Sequence, residues 1–532
     1  MKKHMLRKAL LIAAWIFLLS IGIFPAAGQE MIPLNNDAST EEAVGELAPA
    51  PSASFHEDVS GGTQPEGNGA PPMPDNNGKS APSSINVDAE FLYGLYNNMA
   101  STFSIIQGLN LFAYQFNADF KRSSDFGYDN SSYYDNSAEL MAQIEPIKTW
   151  TLIPSVNIHN ESHGMFNNLT YSREEKDRVV LNLKNEYKPT PTRLQFNGGY
   201  TQYVHQLIGA DTFKAKVNKF EEDISWERVF AASHTVSLRN YACQYFYSGS
   251  SDSSKAKNDF HNASELIWSI KLFEYLKLSL SPMFFWNMDT SAQPGGRVRL
   301  DSDSLKFFTF GLFYSYSVQP FKPEDLFFTQ NYIMDNNSLP PEKVHTAEFQ
   351  GTFSLDRKSE SNFYLSSVRL KTNNRFIVSD NFYNYIPSGI NDIITIDTLR
   401  ATSVCSTTEC MLQFTVFSWL IGIDAEYTFS KYNAKQNITY RPEHLFAGTL
   451  SLDTGRIDID WKNEYRSSIF TDNIKDTKLS GFIIGTLAIQ LKIVDSVSIN
   501  MRMNNLYNTN YRLREGYPEP GFTVLGGVRI II

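Results

Sequence analysis

In the run VNIHNESHG, residues 156–164, His159, Glu161 and His163 recur at every second position. Side chains two apart on an extended strand share a face, so two imidazoles and a carboxylate would project together, a donor set suited to a transition metal. The same triplet reads as ordinary polar residues at a strand end. Metal-bound imidazoles need further groups to orient them, and the neighbouring sequence offers no obvious ones. No Gly-x-Ser-x-Gly, phosphate loop, Cys-x-x-Cys or His-Glu-x-x-His occurs in the chain. The sequence therefore offers no catalytic constellation and calls for no cofactor.

Three cysteines are too few for a disulfide scaffold. Cys405 and Cys410 lie close together in ATSVCSTTECML, where an oxidising compartment would let them close a small ring. Cys243 has no partner nearby and reads as a small strand residue.

The chain of 532 residues begins with Lys2, Lys3, Arg7 and Lys8, an apolar stretch from Ala9 to Phe24, and the small-residue exit Pro25-Ala26-Ala27-Gly28. This is the pattern of a secretory signal peptide over 1–28. Residues 29–84 are rich in Pro, Gly and Ser and hold nine acids against Lys79 alone, with too little apolar mass to offset the entropy of ordering. They read as a disordered acidic tail. With 47 basic and 57 acidic residues the net charge is −10, which argues against a nucleic-acid partner.

From residue 85 to 532 the texture changes. Aromatics reach 14% of the chain, with 27 Tyr and 38 Phe, and segments of about ten residues alternate apolar and polar between Asn, Asp, Pro, Gly and Ser clusters. In TLAIQLKIVDSVSINMRMNN, Leu487, Ile489, Leu491 and Ile493 share one face. After a turn at Asp495-Ser496, Val497, Ile499, Met501 and Met503 continue it, a hairpin with one greasy and one polar side. RVVLNLKNEYKPTPTRLQF and LIWSIKLFEYLKLSL repeat the pattern. The last strand places Phe522, Val524, Gly526, Val528, Ile530 and Ile532 on one side, with Thr523, Leu525, Gly527, Arg529 and Ile531 on the other. The fold expected is all-β: a large antiparallel transmembrane β-barrel of roughly 20–22 strands over 85–532. Lys184, Lys492, Arg502, Arg529, Glu186 and Glu426 would line its lumen, and Trp268, Trp419, Tyr427 and Trp461 would anchor its interface belts.

The carboxyl half also resembles the barrel of TonB-dependent outer-membrane receptors. It carries Asn505-Leu506-Tyr507-Asn508, Tyr511, then Gly516-Tyr517-Pro518-Glu519-Pro520-Gly521 before the final strand. Arg441-Pro442 with His444 resembles the family's Arg-Pro-x-His step. Pro320, Asp325, Leu326, Asn336, Leu339, Pro341 and Glu342 resemble its Pro-rich exit and Asn-x-x-Leu-x-Pro-Glu run. The family's folded plug and TonB box have no counterpart in 29–84, and the chain ends on Ile532 where the family has an aromatic residue.

The resemblance implies a non-enzymatic barrel of the cell outer membrane, exported by its signal peptide and engaged in solute uptake or surface reception. Its implied partners are membrane lipid, the barrel insertion machinery, and a periplasmic protein or separate plug met through residues 29–84. A passive porin-like channel, a structural or adhesive surface barrel and a secreted soluble β protein are the rival readings.

Overall fold

The computed structural model of the chain describes residues 85–532 except 110–111, 124–131, 165–170, 210–212, 232, 250–256, 288–291, 303–306, 320–338, 358–360, 388–393 and 515–516. The signal peptide and the acidic tail expected over 1–84 lie outside the described residues, as do Pro320, Asp325, Leu326, Asn336 and Gly516.

Alternating β-formers give each segment two unlike faces, and 22 such strands join one antiparallel sheet. Its first strand, Ile85–Gly94, pairs with its sequence neighbour Met99–Leu109 and also with the last strand, Thr523–Ile531. The sheet is thus a closed barrel with no free edge. The first and last described strands meet at one rim, where Val87 and Ile532 exchange two backbone hydrogen bonds of 2.8 Å. The connections 148–149, 188–191, 274–275, 417–418 and 495–496 at that rim are short. Longer connections occupy the opposite rim, two of them with their own small hairpins, Ile469–Phe470 with Lys478–Leu479 and Arg512–Arg514 with Tyr517–Pro518.

Strand length is uneven. Val497–Asn504 has 8 residues, close to the 9–11 or so that a tilted strand needs to cross hydrocarbon. Phe363–Pro387 and Ile394–Val416 have 25 and 23 residues and stand far beyond the long-connection rim. The outer surface carries an apolar belt in which Leu181, Leu450, Ile499 and Val528 are 43–50% exposed. Apolar exposure of that extent is foreign to a soluble protein. The inner surface carries cross-strand polar ladders, such as Ser104 to Asn117 to Glu139 and the two-pronged Arg239–Asp223 pair at 2.9 and 2.6 Å.

The closing strand alternates as its sequence requires. Thr523 and Leu525 are buried inward, Arg529 reaches Asp88 at 2.6 Å, and Val528 faces out. Gly527 is needed at the seam: a Cβ there would meet the Phe91 carbonyl oxygen at 1.7 Å.

The expected Cys405–Cys410 disulfide is corrected. Both residues lie on the single extended strand Ile394–Val416 and both are free thiols. An odd spacing turns them to opposite faces, and five residues of strand hold their Cα atoms about 16 Å apart, beyond the reach of a disulfide.

Candidate functional site

His159, Glu161 and His163 do share the lumenal face of Trp150–Gly164, and the register brings further charged groups beside them. Glu161 lies opposite Asp135 on Tyr133–Ile147 and opposite Lys176 on Tyr171–Tyr187, while Lys176 lies opposite His205 on Thr192–Gly209. Each imidazole is committed to a carboxylate. The Nε2 of His159 lies 2.8 Å from Asp135, which Lys121 also approaches at 3.6 Å. Glu174 takes His163 Nε2 at 2.6 Å on one oxygen, and His205 Nε2 at 2.6 Å with Lys176 Nζ at 3.3 Å on the other.

The three residues singled out by spacing therefore do not converge on one point. Among the described residues, no group of three or more His, Cys, Asp and Glu is placed to hold a metal ion. A cavity of about 10 Å³, room for roughly one water, opens between His159, Glu161, Lys176, Arg178, Tyr203 and His205. Glu174, His205 and Asp135 carry no spacing signal of their own. Only the strand register, which joins SREEKDRVV to the His-x-Glu-x-His run, reveals them.

The outward residues at this level are Arg173, Glu175 and Asp177, so the strands here have risen above the apolar belt formed lower down by Val179, Leu181 and Leu183. Glu174 is 1% exposed. Burial alone would raise its carboxyl pKa, but Lys176, His163 and His205 reverse that and hold it well below the usual carboxylate range. Burial would lower His163, and Glu174 and Glu161 raise it above the ordinary imidazole value.

A second cluster forms where two separate motif stretches meet beside the tall hairpin. Glu342 is buried and bonded by the Ser379 hydroxyl, with Arg441 nearby. The Arg441 guanidinium lies 4.5 Å over the Phe382 ring and 5.4 Å from the Tyr432 ring. The Pro341 carbonyl accepts a 3.0 Å hydrogen bond from Asn381, and Pro442 is buried beside Arg441. Outside this cluster Asp380 pairs with Arg400 and both are exposed, which sets it above the belt. Burial pushes the Glu342 carboxyl up to about 7, and neither the Ser379 hydroxyl nor Arg441 offsets that.

The third motif stretch ties down the last long connection. Asn505, at φ 48, donates to the Thr509 and Pro520 carbonyls at 2.9 and 3.0 Å and accepts from the Thr509 N–H at 2.9 Å. The Leu506 N–H donates to the Gly485 carbonyl, and Tyr511 packs 4.5 Å from Phe482. Gly521 leaves room for Asn508, which caps the Phe522 N–H at 2.9 Å. Tyr517 and Pro518 pair with Arg514 and Arg512. On the wall below, Arg502 approaches Glu90 at 3.8 Å and Lys492 holds Asp458 at 2.9 Å.

No family model and no curated protein matches the chain. Solved structures do. The FrpB iron transporter from Neisseria meningitidis superposes with a TM-score of 0.66 at 10% identity, covering 85% of this chain and 83% of that one. The copper transporter OprC gives 0.67 at 12% identity over 85% and 81%. The ferric enterobactin receptor PfeA of Pseudomonas aeruginosa gives 0.66 at 10% identity over 85% and 82%. At that identity the likeness is one of fold, and it bears out at fold level the resemblance to TonB-dependent receptor barrels.

Proposed function

We propose that the chain is an outer-membrane barrel that admits or receives solutes from outside the cell. The observation that carries this reading is the closed 22-strand wall, apolar on its outer surface and lined within by paired charges and amides. Such a wall supplies a lipid-compatible exterior and an aqueous interior, the two things solute passage requires. The long-connection rim faces outward and carries selectivity, while the chain ends face the periplasm. The similar structures are named for iron, copper and ferric enterobactin, which makes metal-bearing solutes the first class to test. No covalent chemistry is assigned to the protein.

The described residues supply wall and connections only. In this reading residues 29–84, delivered to the periplasmic rim at Ile85, either occlude the lumen or recruit a separate plug. Residues 1–28 direct export, and the insertion machinery places the barrel among outer-membrane lipids.

Planar-bilayer conductance of the mature protein, with and without residues 29–84, tests the proposal. A large conductance that rises on removing the tail supports it. No conductance from either form, together with no solute accumulation in cells expressing the protein, would refute solute passage and favour a barrel that only displays its outer connections.

A further inference from the structure

Near its short-turn rim the lumen wall carries like-charged pairs of opposite sign. Lys271 stands directly opposite Lys277 across Lys257–Phe273 and Leu276–Asn287, close to the ends of those strands at that rim. Both face inward with Ser269 and Ser279, whose hydroxyls bond each other at 2.8 Å. Further round the same mouth Arg369, near the start of Phe363–Pro387, also faces inward and is exposed. No hydrogen bond or ion pair to Lys271, Lys277 or Arg369 occurs among the described residues. Asp301 lies opposite Lys277 but gives both oxygens to Arg299 at 2.8 Å. Like charges face to face weaken a sheet, so this sector is short of an anion.

Another sector of the mouth carries the reverse sign. Asp453 stands opposite Asp458 across His444–Asp453 and Ile457–Arg466, with Asp460 and Asp424 above them. Lys492 answers Asp458 at 2.9 Å. An acidic ligand entering this mouth is therefore turned away from one wall and drawn to the other.

The chain itself supplies such a ligand. Residues 29–84 lead into Ile85 at this rim and hold nine acids against Lys79 alone. Asp37, Glu41, Glu42 and Glu46 fall close together with no base among them, 39–48 residues before Ile85. Lys257–Phe273 and Leu276–Asn287 stand almost diametrically across the 22-strand wall from Ile85. At a strand spacing of about 4.8 Å and a tilt of about 40°, 22 strands enclose a mouth about 44 Å across. An unconstrained segment of 39–48 residues spans roughly 31–42 Å on root-mean-square average. Effective concentration is highest when a linker's average span matches the gap, so ion pairs that are weak singly add up to binding within one chain.

We infer that the acidic run around Glu41 and Glu42 docks on Lys271, Lys277 and Arg369 and so lays residues 29–84 across the periplasmic mouth of the barrel, an occlusion that salt relieves. The inference rests on the solute-passage reading above and selects, of its two roles for the tail, occlusion over recruitment.

The test is disulfide trapping of the full-length chain in isolated outer membranes, with the three native cysteines replaced by Ala. Thr40→Cys is paired either with Ser279→Cys, beside Lys277, or with Ser451→Cys, opposite Asp460, as the control. In about 50 mM salt the link within one chain should form roughly fivefold or more faster at Ser279→Cys than at Ser451→Cys. The preference should vanish at about 1 M salt, where charges are screened beyond about 3 Å, and also when Lys271, Lys277 and Arg369 are together changed to Gln. Equal trapping at both positions, trapping at neither, a link between two chains, or a preference that survives salt and neutralisation would overturn the inference. Planar-bilayer conductance of the same preparations, reduced, scores solute passage separately. A conducting barrel that does not trap at Ser279→Cys overturns the docking alone; trapping at Ser279→Cys in a barrel that never conducts supports the docking and overturns solute passage alone.

Discussion

Glu174 and Glu342 occupy comparable places and behave in opposite ways. Both face the lumen above the apolar belt and both are almost fully buried, at 1% and 4% exposure. Burial favours the neutral acid in each. Glu174 is surrounded by Lys176, His163 and His205 and remains a carboxylate; Glu342 has a serine hydroxyl and an Arg441 whose guanidinium is drawn over two aromatic rings, and it is pushed up to about 7. The difference shows that the number and closeness of cations, more than depth, decides whether a lumenal acid carries charge here.

The largest break in this comparison should come from Glu174→Ala, which removes the carboxylate that His163, His205 and Lys176 share. A loss of about 3–5 kcal/mol is expected in denaturant unfolding of the lipid-embedded barrel. For Glu342→Gln the expectation has a pH signature. An acid whose folded pKa is raised contributes stability that is present below its unfolded value and is lost as pH rises through the folded one. The native chain should therefore weaken between about pH 4.5 and 7, by up to about 3 kcal/mol. Glu342→Gln should match it near pH 5 and exceed it at pH 8. A variant that is weaker at both values would mean that the ionised form is the stabilised one.

Lys176→Met should cost about 1.5–3 kcal/mol by removing one charged partner. It should also move Glu174 towards the behaviour of Glu342. Stability held by a depressed acid is present above its unfolded pKa and lost as pH falls through the folded one, so the acid limb of the stability profile should shift to higher pH in this variant. The smallest effect is expected for Arg441→Ala, which should raise the Glu342 midpoint further, readable by infrared titration of its carboxyl band.

How much of this the sequence carried differs between wall and site. Period-two alternation placed the strands, and the turns at Asp495-Ser496 and Lys188–Pro191 were plain because Pro, Asp and Ser interrupt it. The lumenal direction of Arg529 and Arg502 followed from counting alone. The clusters did not follow, because they depend on register between strands. His163 meets Glu174 across a connection, and Glu342 meets Arg441 after 98 intervening residues of chain. The cysteine pair misled for a related reason: proximity in sequence suggested a small ring, while the stretch forms a strand on which those positions diverge. Uneven strand length was also hidden, since polar residues on both faces of the tall hairpin look like loop until their partners are known.

The central claim is a wall with one face in lipid and the other in water, and site-by-site labelling along Tyr171–Tyr187 tests it most directly. In a cysteine-free background, single cysteines at 180–184 would be challenged in intact outer membranes with a membrane-impermeant maleimide small enough to enter the lumen. The account predicts that Asn182→Cys and Lys184→Cys react while Leu181→Cys and Leu183→Cys are protected until detergent is added. Uniform reaction at all positions, or protection in the reverse phase, would contradict it.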